Sequence, residues 1–460
     1  MIIFDLNQAT GDIRMHAPSF MVALVALGAI QTQAQNATPQ PGKAAPAEER
    51  YTTVEQPKED LNRVQKTEIY GSALPFLNSV SAKGATAAAP ADSASLLNSA
   101  SYTGANQPAR TRVDGLALVG LRGKKDFGKA SGLWQIELSY DTSGDIQGLA
   151  GSRNSGVGLT GAWGTVLLGI WDTPYQWSSQ KAAAIRGNSS FDYGNLIGVP
   201  GFNVPVSLTR SKRENTKADA GFNRRQGNIV QYWTPEYRGF SGRAAFSANE
   251  DRSVASGTNA GVNPRIVSLA GSYESGGLML RYAYENHKDY FGLSQLGTST
   301  GAAPTVSSGA IATNPTSKDV AHKIFAQYAF GNSRVAGILE RLDYRTNDST
   351  PGRVDRYQRD AMYVVGQTRF DRHTAWIGLG TANDGRCHRV GNAPCSTSGL
   401  SAKQATLGYV YSLDKNFDIY TAAFTVRNAK SATYGIFPTI GTTAPGARYN
   451  GVGVGLLAIF

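Results

Sequence analysis

The amino-acid sequence predicts an all-β fold, a closed antiparallel barrel of 16 strands that cross a membrane. Three observations lead to this prediction. Segments of alternating apolar and polar residues recur from residue 67 to the end of the chain, their connections alternate between short and long, and the N-terminal region has the pattern of an export signal. Strict alternation indicates strands whose two faces meet different surroundings.

The clearest alternating segments are LWQIELSYD (133–141) and LMLRYAYENH (278–287). Each places aromatic and aliphatic residues on one face and mostly polar residues on the other. The predicted strands are 67–80, 111–122, 133–141, 154–161, 164–171, 227–234, 240–248, 264–273, 278–287, 319–330, 333–344, 357–370, 373–382, 402–413, 417–428 and 447–460. Most are near the roughly 9 to 11 residues that a tilted strand needs to cross a bilayer.

Connection lengths predict the order of the strands. Short turns follow the even-numbered strands, with about ten residues expected between the second and third, and long polar connections follow the odd-numbered ones. Such alternation places all turns on one side and all long loops on the other, as in an up-and-down membrane barrel. Backbone groups in lipid must be paired within the protein, so the first and last strands have to meet.

The N-terminal region predicts export and a three-part organisation. Residues 20–30, FMVALVALGAI, form an apolar run of 11 residues that is too short to span a bilayer, and a small-x-small pattern follows at Thr32–Ala34. We therefore expect a signal peptide at 1–34, with Met15 as an alternative start, and a buried core helix as the competing interpretation. Residues 35–66, rich in Ala, Pro, Glu and Gln, are expected to be a flexible periplasmic tail, and 67–460 the barrel.

Composition narrows the function. The chain carries a formal charge of +11 with a pI near 9.5, which favours anionic partners. No compact basic patch interleaved with aromatics is present, so we expect no nucleic-acid partner. The sequence also lacks Gly-x-Ser-x-Gly, His-Glu-x-x-His and phosphate-loop motifs, so neither an enzyme nor a cofactor is expected.

Four segments carry a resemblance to a known family: VGLRGKKDFG (119–128), NSGVGLTGAWGTVLLGIWDTPY (154–175), GNIVQYWTPEYRGFSGRAAFS (227–247) and GVGVGLLAIF (451–460). They resemble the trimeric general-diffusion porins of Gram-negative bacteria, particularly the β-proteobacterial type. The resemblance implies a homotrimer in the outer membrane that passes small hydrophilic solutes. It also implies that Phe460 is an assembly signal for the barrel-assembly machinery.

The resemblance further implies a pore constriction. The longest connection, 172–226, occupies the position of the third external loop, which in porins folds into the lumen. Acidic groups on that loop face basic groups on the wall, so Asp192 is the loop candidate, and Arg122 and Arg225 are the wall candidates. The chain departs from the family where Ile170-Trp171 replaces a basic residue, which leaves the row of wall arginines incomplete.

Strand parity adds four candidates to the lumen wall, Glu137, Arg243, Arg281 and Glu285. Ordinary solvated wall charges are the competing interpretation, because the inner faces of such barrels are polar throughout. The net charge and the basic run Thr209–Lys217 suggest a mild anion preference. A basic surface that meets outer-membrane lipid and lipopolysaccharide, or only water, explains them equally well.

The two cysteines, Cys387 and Cys395, lie in the predicted seventh external loop. In an oxidising compartment a local disulfide is the simple interpretation, and a metal site with His388 is the alternative. We therefore expect a passive diffusion porin, with a substrate-selective channel as the alternative. A barrel enzyme is the third hypothesis, with His287 or His322 as its only histidine candidates.

Overall fold

The structure is a computed structural model that describes residues 67–97, 101–142, 149–185, 191–202, 220–247, 263–293, 316–347, 351–436 and 443–460. The predicted signal peptide, the predicted tail at 35–66 and the run Thr209–Lys217 lie outside the described residues. Among the described residues, no helix is long and apolar enough to span a membrane.

Within this part of the chain, 16 antiparallel strands form one closed sheet, which confirms the predicted fold class. β4 and β13 are each interrupted. The two pieces of β4 both pair with β3, and the two pieces of β13 both pair with β12. The strands are β1 Glu68–Lys83, β2 Gln107–Asp126, β3 Ala130–Asp141, β4 Leu149–Ser152 with Ser155–Gly161, β5 Gly164–Asp172, β6 Arg225–Trp233, β7 Phe240–Ser247, β8 Arg265–Ser275, β9 Leu278–Lys288, β10 Ser317–Phe330, β11 Ser333–Thr346, β12 Val354–Phe370, β13 His373–Ala382 with Arg386–Arg389, β14 Ala402–Ser412, β15 Phe417–Asn428 and β16 Arg448–Ile459.

The last strand closes the barrel against the first. β16 pairs with β1 from Ser72 opposite Ile459 to Lys83 opposite Arg448. Phe460 extends this ladder, since the Gly71 N–H donates to its carbonyl at 2.8 Å and its own N–H donates to the Gly71 carbonyl at 3.1 Å. The first and last strands of the described sheet therefore pair with each other, as a sheet in lipid requires.

The connections follow the predicted alternation, with one correction. Short turns follow every even-numbered strand, and both the start of β1 and the end of β16 lie on the turn side. The turn between β2 and β3 spans three residues, 127–129, rather than about ten. The hydrogen-bonded ladder of β2 and β3 runs from Leu116 opposite Asp141 to Asp126 opposite Ser131. It includes most residues of the predicted turn, which pair across the two strands and shorten the turn.

The two faces of the barrel wall differ in chemistry. The outward face exposes aliphatic and aromatic side chains along nearly every strand, among them Leu168, Leu269 and Val454. Its turn-side end carries large exposed aromatics, including Phe127, Trp163, Phe330, Phe370 and Phe460. An apolar band bordered by aromatic residues matches the lipid-facing surface of outer-membrane barrels.

The glycines of the closing strand face inward and make room for aromatic rings of β15. A Cβ at Gly451 would overlap the Phe424 ring, and one at Gly455 would overlap Tyr420 and approach Phe76. This close approach explains why glycine alternates with apolar residues in β16. The apolar residues lie on the outward face, and the glycines lie on the inward face, where they leave room for the rings of neighbouring strands.

The connection between β5 and β6 has ordered structure of its own. It contains the short helix α1, Pro174–Ser178, and two 3₁₀ turns, Gln180–Ala182 and Tyr193–Asn195. Thr173 caps α1 by accepting a hydrogen bond from the Gln176 N–H at 3.2 Å, and a proline follows at the first helical position. The described part of this connection, residues 173–185, 191–202 and 220–224, is called the inner segment below.

Candidate functional site

The inner face of the barrel is the candidate functional site, because charged side chains gather there and the inner segment contacts them. The wall residues Arg122, Glu137, Arg225, Arg243, Arg281 and Glu285 all project from the face opposite the exposed apolar band. They belong to several separate contact groups, described in turn around the wall.

The first group lies on β1 to β4 and surrounds Glu137, which is fully buried. Arg153 donates its Nε–H to Glu137 Oε1 at 2.6 Å, and the Tyr70 hydroxyl donates to Oε2 at 3.0 Å. Arg122 lies over the Tyr70 ring, 4.8 Å from its centroid, and forms an ion pair with Glu68 near the turn side. Glu137 and Arg122 therefore share one network through Tyr70.

The second group surrounds Arg225 at the start of β6. Its guanidinium forms an ion pair with Asp172 at 3.1 Å and donates to Asn154 Oδ1 at 2.8 Å. Asn154 in turn donates to Asp172 at 3.2 Å. Trp171, of the Ile170-Trp171 pair that departs from the family pattern, is fully buried against Trp233 at a ring separation of 5.7 Å. A packed aromatic pair therefore directly precedes Asp172, the ion-pair partner of Arg225.

The third group is formed by two arginines on one tryptophan. The Arg243 and Arg281 guanidinium carbons lie 3.9 and 4.0 Å from the centroid of the Trp177 ring, which belongs to α1. Arg281 also forms an ion pair with Glu274 at 3.0 Å. Cation–π contacts of this kind attach α1 to β7 and β9.

The fourth group binds the inner segment to β11 and β12 through Glu340 and Arg359, whose side chains are fully buried. Glu340 accepts hydrogen bonds from the Tyr175 hydroxyl at 2.6 Å and from the Gly198 N–H at 2.8 Å. Arg359 donates to the Leu196 carbonyl at 2.9 Å. Burial, together with the neighbouring Glu340, raises the pKa of Tyr175 well above its ordinary value. Tyr175 therefore stays a neutral hydrogen-bond donor.

Lys323 on β10 is the third buried charge that holds the inner segment. Its Nζ donates to the Tyr175 carbonyl at 3.3 Å, to Ser179 Oγ at 3.0 Å and to Asn223 Oδ1 at 2.9 Å. It also lies 3.8 Å from the centroid of the Tyr175 ring. One ammonium group therefore joins the two ends of the inner segment to the wall.

The far end of the inner segment reaches β1, β14 and β15. The Phe191 ring lies 6.1 Å from Phe76 and 5.6 Å from Phe424, and Gln404 donates to the Asp192 carbonyl at 2.8 Å. Burial raises the pKa of the Asp192 carboxyl to about 7, although the N–H groups of the next two residues partly oppose the shift. Residues 173–185 contact β8 to β11, and residues 191–193 contact β1 and β15. The inner segment therefore connects distant parts of the wall.

The structure brings some predicted residues together and separates others. Glu137 and Arg225 lie in neighbouring networks on β3 and β6, whereas Asp192 lies beside β14 and β15. Glu285 accepts a hydrogen bond from His287 at 2.7 Å on the inner face. His322 projects outward, beside the Tyr282 hydroxyl at 2.8 Å. The two histidines considered for catalysis therefore lie on opposite faces of the wall.

Lys323, Glu340 and Arg359 are three wall residues that sequence reasoning missed. All three occupy inward positions of predicted strands, so the parity rule that selected Arg281 would also have found them. Their contacts with residues 100 or more positions away in the chain carried no signal in the sequence.

A second ordered region lies among the external connections. Cys387 and Cys395 form a disulfide with a Cα–Cα distance of 5.9 Å. Ser396, directly after the second cysteine, contacts the β1–β2 connection: its N–H donates to Ser95 Oγ at 2.9 Å. His388 pairs with Asp355 at 2.7 Å. In the described parts of the chain, no group of three or more His, Cys, Asp or Glu residues is arranged to hold a metal ion.

A closed barrel with an apolar outer band and a charged inner face is the architecture of a membrane channel protein. Sequence comparison identifies the family. The model of the Gram-negative porin family matches residues 23–431. The chain belongs to this family, whose members are channel proteins of the bacterial outer membrane rather than enzymes.

Individual relatives are distant. The outer membrane porin protein 32 of Delftia acidovorans is 23% identical over 347 residues, which cover 74% of this chain and 84% of that protein. The solved structure of an anion-selective porin from Comamonas acidovorans aligns with a TM-score of 0.59 at 17% identity, over 86% of this chain and 99% of that one. A trimer form of OmpT from Vibrio cholerae aligns with a TM-score of 0.52 at 13% identity, over 86% and 99%. At these identities the structural similarity shows the shared fold.

Proposed function

We propose that the protein is a general-diffusion porin in which the inner segment folds into the lumen and narrows it. The observation that carries this proposal is the set of contacts that the segment makes with inward-facing residues of β8, β10, β11, β12, β14 and β15. Ser268, Lys323, Glu340, Arg359 and Gln404 all bond to it. A 16-stranded barrel is wide enough for an aqueous channel, so a segment fastened across its inner face would set the width.

The wall chemistry supports passage of small hydrophilic solutes. The inward face carries charged and amide side chains in every group described above, and such a lining replaces part of a solute's hydration. The bonds that hold the inner segment use buried charges, so the segment is positioned firmly rather than suspended as a free loop.

A mild anion preference is part of the proposal. Its support is the formal charge of +11, the inward arginines Arg225, Arg243 and Arg281, and the similarity to a structure described as an anion-selective porin. Rings of basic side chains favour anions at a constriction. The homotrimer and recognition of Phe460 by the barrel-assembly machinery are proposed on family membership and on the trimer form of the Vibrio cholerae structure.

Planar-bilayer recording tests the proposal. Purified protein should insert with stepwise conductance in multiples of three, and its reversal potential in a potassium chloride gradient should indicate chloride preference. Arg225→Ala and Asp192→Ala should shift that potential in opposite directions. Absence of conductance would contradict the channel proposal, and a potential unchanged by both variants would contradict the constriction assignment.

A liposome-swelling series separates general diffusion from substrate selectivity. For a general porin, entry rates of uncharged sugars should fall smoothly with size and rise linearly with concentration. Saturable entry of one solute class would instead favour a substrate-selective channel, with Trp177 between Arg243 and Arg281 as the first site to alter.

A further inference from the structure

The outer end of the inner segment, Gly201 and Phe202, is enclosed by the barrel wall and by external connections. The Phe202 ring is fully buried, and its centroid lies 5.3 Å from that of Tyr357 on β12 and 6.1 Å from that of Tyr344 on β11. The Gly201 carbonyl accepts a hydrogen bond from the Thr433 N–H in the β15–β16 connection at 3.0 Å. The wall therefore holds this end together with an external connection.

Gly201 shows how closely the external connections approach the inner segment. A Cβ at this position would lie 2.6 Å from the Leu400 carbonyl oxygen and 3.1 Å from the Tyr434 ring. Leu400 belongs to the β13–β14 connection and Tyr434 to the β15–β16 connection. A side chain would overlap backbone here, so glycine is required where the inner segment passes against the two connections.

The β1–β2 connection reaches the same region. Its residues 84–97 are called the outer strap below. Leu96 in the outer strap is fully buried and belongs to one contiguous apolar cluster with Phe202 and Leu400. Burial of a complete leucine side chain is strongly favourable, so Leu96 is the main apolar attachment of the outer strap.

Hydrogen bonds attach the outer strap to the same two connections that enclose Gly201. In the β15–β16 connection, Ser431 Oγ accepts from the Ala94 N–H at 3.3 Å. In the β13–β14 connection, the Ser396 N–H donates to Ser95 Oγ at 2.9 Å. The outer strap and the outer end of the inner segment are therefore joined both by the apolar cluster and through shared neighbours.

The outer strap is attached in a different way from the rest of the inner segment. The wall holds the inner segment through the fully buried ion pair of Glu340 and Arg359. The one charged residue in the sequence of the outer strap, Asp92, is exposed. Release of the outer strap therefore exposes apolar surface but separates no buried ion pair of its own, so it requires less free energy than release of the inner segment from the wall.

We propose that the outer strap holds the outer end of the inner segment in place, with Leu96 as the positioning residue. The width of the passage is then set from the external surface as well as from the buried charges of the wall. This inference rests on the proposed function, because the outer strap controls passage only if the inner segment narrows the lumen.

A thiol reporter in the full-length protein tests the attachment. Ala94→Cys places a thiol at a position in the outer strap that is 1% exposed, and the two native cysteines are joined in the disulfide. Fluorescein maleimide should therefore label the reporter only when the outer strap is released. Adding Leu96→Ala should increase the labelling rate at least about 30-fold, because deletion of a fully buried leucine shifts a contact equilibrium by that factor or more. Leu413→Ala, at a turn-side residue that is 44% exposed, is the matched control and should leave the rate unchanged.

Phe202→Ala tests the same attachment from the inner segment. It should also increase the labelling rate, and its combination with Leu96→Ala should add little to either single variant, because both substitutions remove one shared contact. Passage is measured by liposome swelling without the reporter. Entry of a trisaccharide relative to a hexose should rise several-fold in Leu96→Ala and stay at the wild-type ratio in Leu413→Ala. A purely structural role of Leu96 would change the labelling rate and leave this ratio unchanged.

Four results would overturn the proposal. They are an unchanged labelling rate in Phe202→Ala, fully additive effects in the double variant, an equal increase in Leu413→Ala, and an unchanged sugar ratio in Leu96→Ala. Absence of conductance in the wild-type protein would instead contradict the channel proposal, and the labelling rates would then test the attachment alone. If Leu96→Ala fails to fold, Leu96→Val is measured, with an expected increase in labelling rate of about fourfold for the methylene group removed.

Discussion

Glu340 on β11 and Arg359 on β12 form an ion pair at 3.0 Å, and neither side chain is exposed to solvent. Each also bonds to the inner segment, Glu340 through the Gly198 N–H and Arg359 through the Leu196 carbonyl. Burying two charges is costly unless further hydrogen bonds satisfy them, and here backbone groups of the segment supply some of those bonds. The pair therefore joins two strands of the barrel to the segment.

Replacement of Glu340 should be strongly destabilising. Glu340→Gln leaves Arg359 buried without its counter-charge, and breaking a buried pair costs about 3–5 kcal/mol in free energy of unfolding. Urea denaturation in detergent measures this cost. The matched control is the adjacent pair Arg341–Asp360, whose side chains are 50% and 31% exposed, so Asp360→Asn should cost about 0–1 kcal/mol. Equal losses in the two variants would contradict the role assigned to Glu340.

Lys323→Met should reduce anion preference and increase current noise. The substitution removes a charge from the inner face and three hydrogen bonds from the inner segment. Reversal potential and open-channel noise in planar bilayers report the two effects. Lys318→Met on the same strand projects outward and is the control, because it should alter neither quantity. An unchanged reversal potential in Lys323→Met would exclude this lysine from the conduction path.

Channel selectivity should change with pH around neutrality through Asp192. Because the pKa of its carboxyl is raised to about 7, the group is mostly neutral at pH 5.5 and ionised at pH 8.5. Anion preference should therefore decrease as pH rises through 7, measured as reversal potential at the two values. Asp192→Asn should remove this change and keep the low-pH selectivity at both, and persistence of the full change in that variant would assign it to another group.

The same carboxyl gives stability a defined pH dependence. The folded protein holds this proton up to about pH 7, whereas the unfolded chain releases it near pH 4. The contribution of Asp192 to the free energy of unfolding therefore decreases as pH rises from about 4 to about 7 and is constant above that range. Comparison of wild type with Asp192→Asn across these values should show the difference.

Loss of the disulfide should loosen the external connections without unfolding the barrel. A cross-link that closes a loop of this size contributes about 2–3 kcal/mol in the chain-entropy description, and Ser396, the residue after the cross-link, contacts Ser95. The double variant Cys387→Ala with Cys395→Ala should be cleaved faster by protease within 386–401. Reduced wild-type protein is the control and should behave in the same way. Global loss of the folded barrel in the double variant would contradict a local role.

Gly455→Ala should impair closure of the barrel. The added methyl group would overlap Tyr420 and approach Phe76, and overpacking of this kind costs about 1–3 kcal/mol. Refolding yield in detergent, read from gel mobility of unheated samples, measures the effect. Gly271→Ala is the control, because its Cβ would meet no atom within 4 Å. Equal yields would show that β15 and β16 can rearrange to accept the methyl group.

Most of the barrel was predictable because side-chain alternation and connection length are local features of the sequence. Period-two alternation located all 16 strands, and the alternation of connection lengths gave their order and the side of each turn. Strand ends were less accurate, as at β2, which continues to Asp126 through a segment rich in glycine and lysine. Backbone pairing with β3 decided that boundary, and pairing depends on a partner strand rather than on composition.

The candidate site was predicted only in part. Parity placed Arg243, Arg281 and Glu285 on the inner face, as the structure does, but their partners differ. Trp177 from α1 lies against both arginines, and no local pattern indicated that contact. The position of Asp192 beside Gln404 likewise depends on how far the inner segment extends across the sheet.

The sequence by itself determined which residues face lipid and which face inward, because side chains alternate along each strand whatever its neighbours are. It also determined the closing role of the chain end, since an alternating final strand in lipid must find a partner edge. Only the tertiary structure decided the register of each strand against its neighbours. It also decided the contacts of the inner segment, because those bonds join residues whose proximity arises only when the barrel closes.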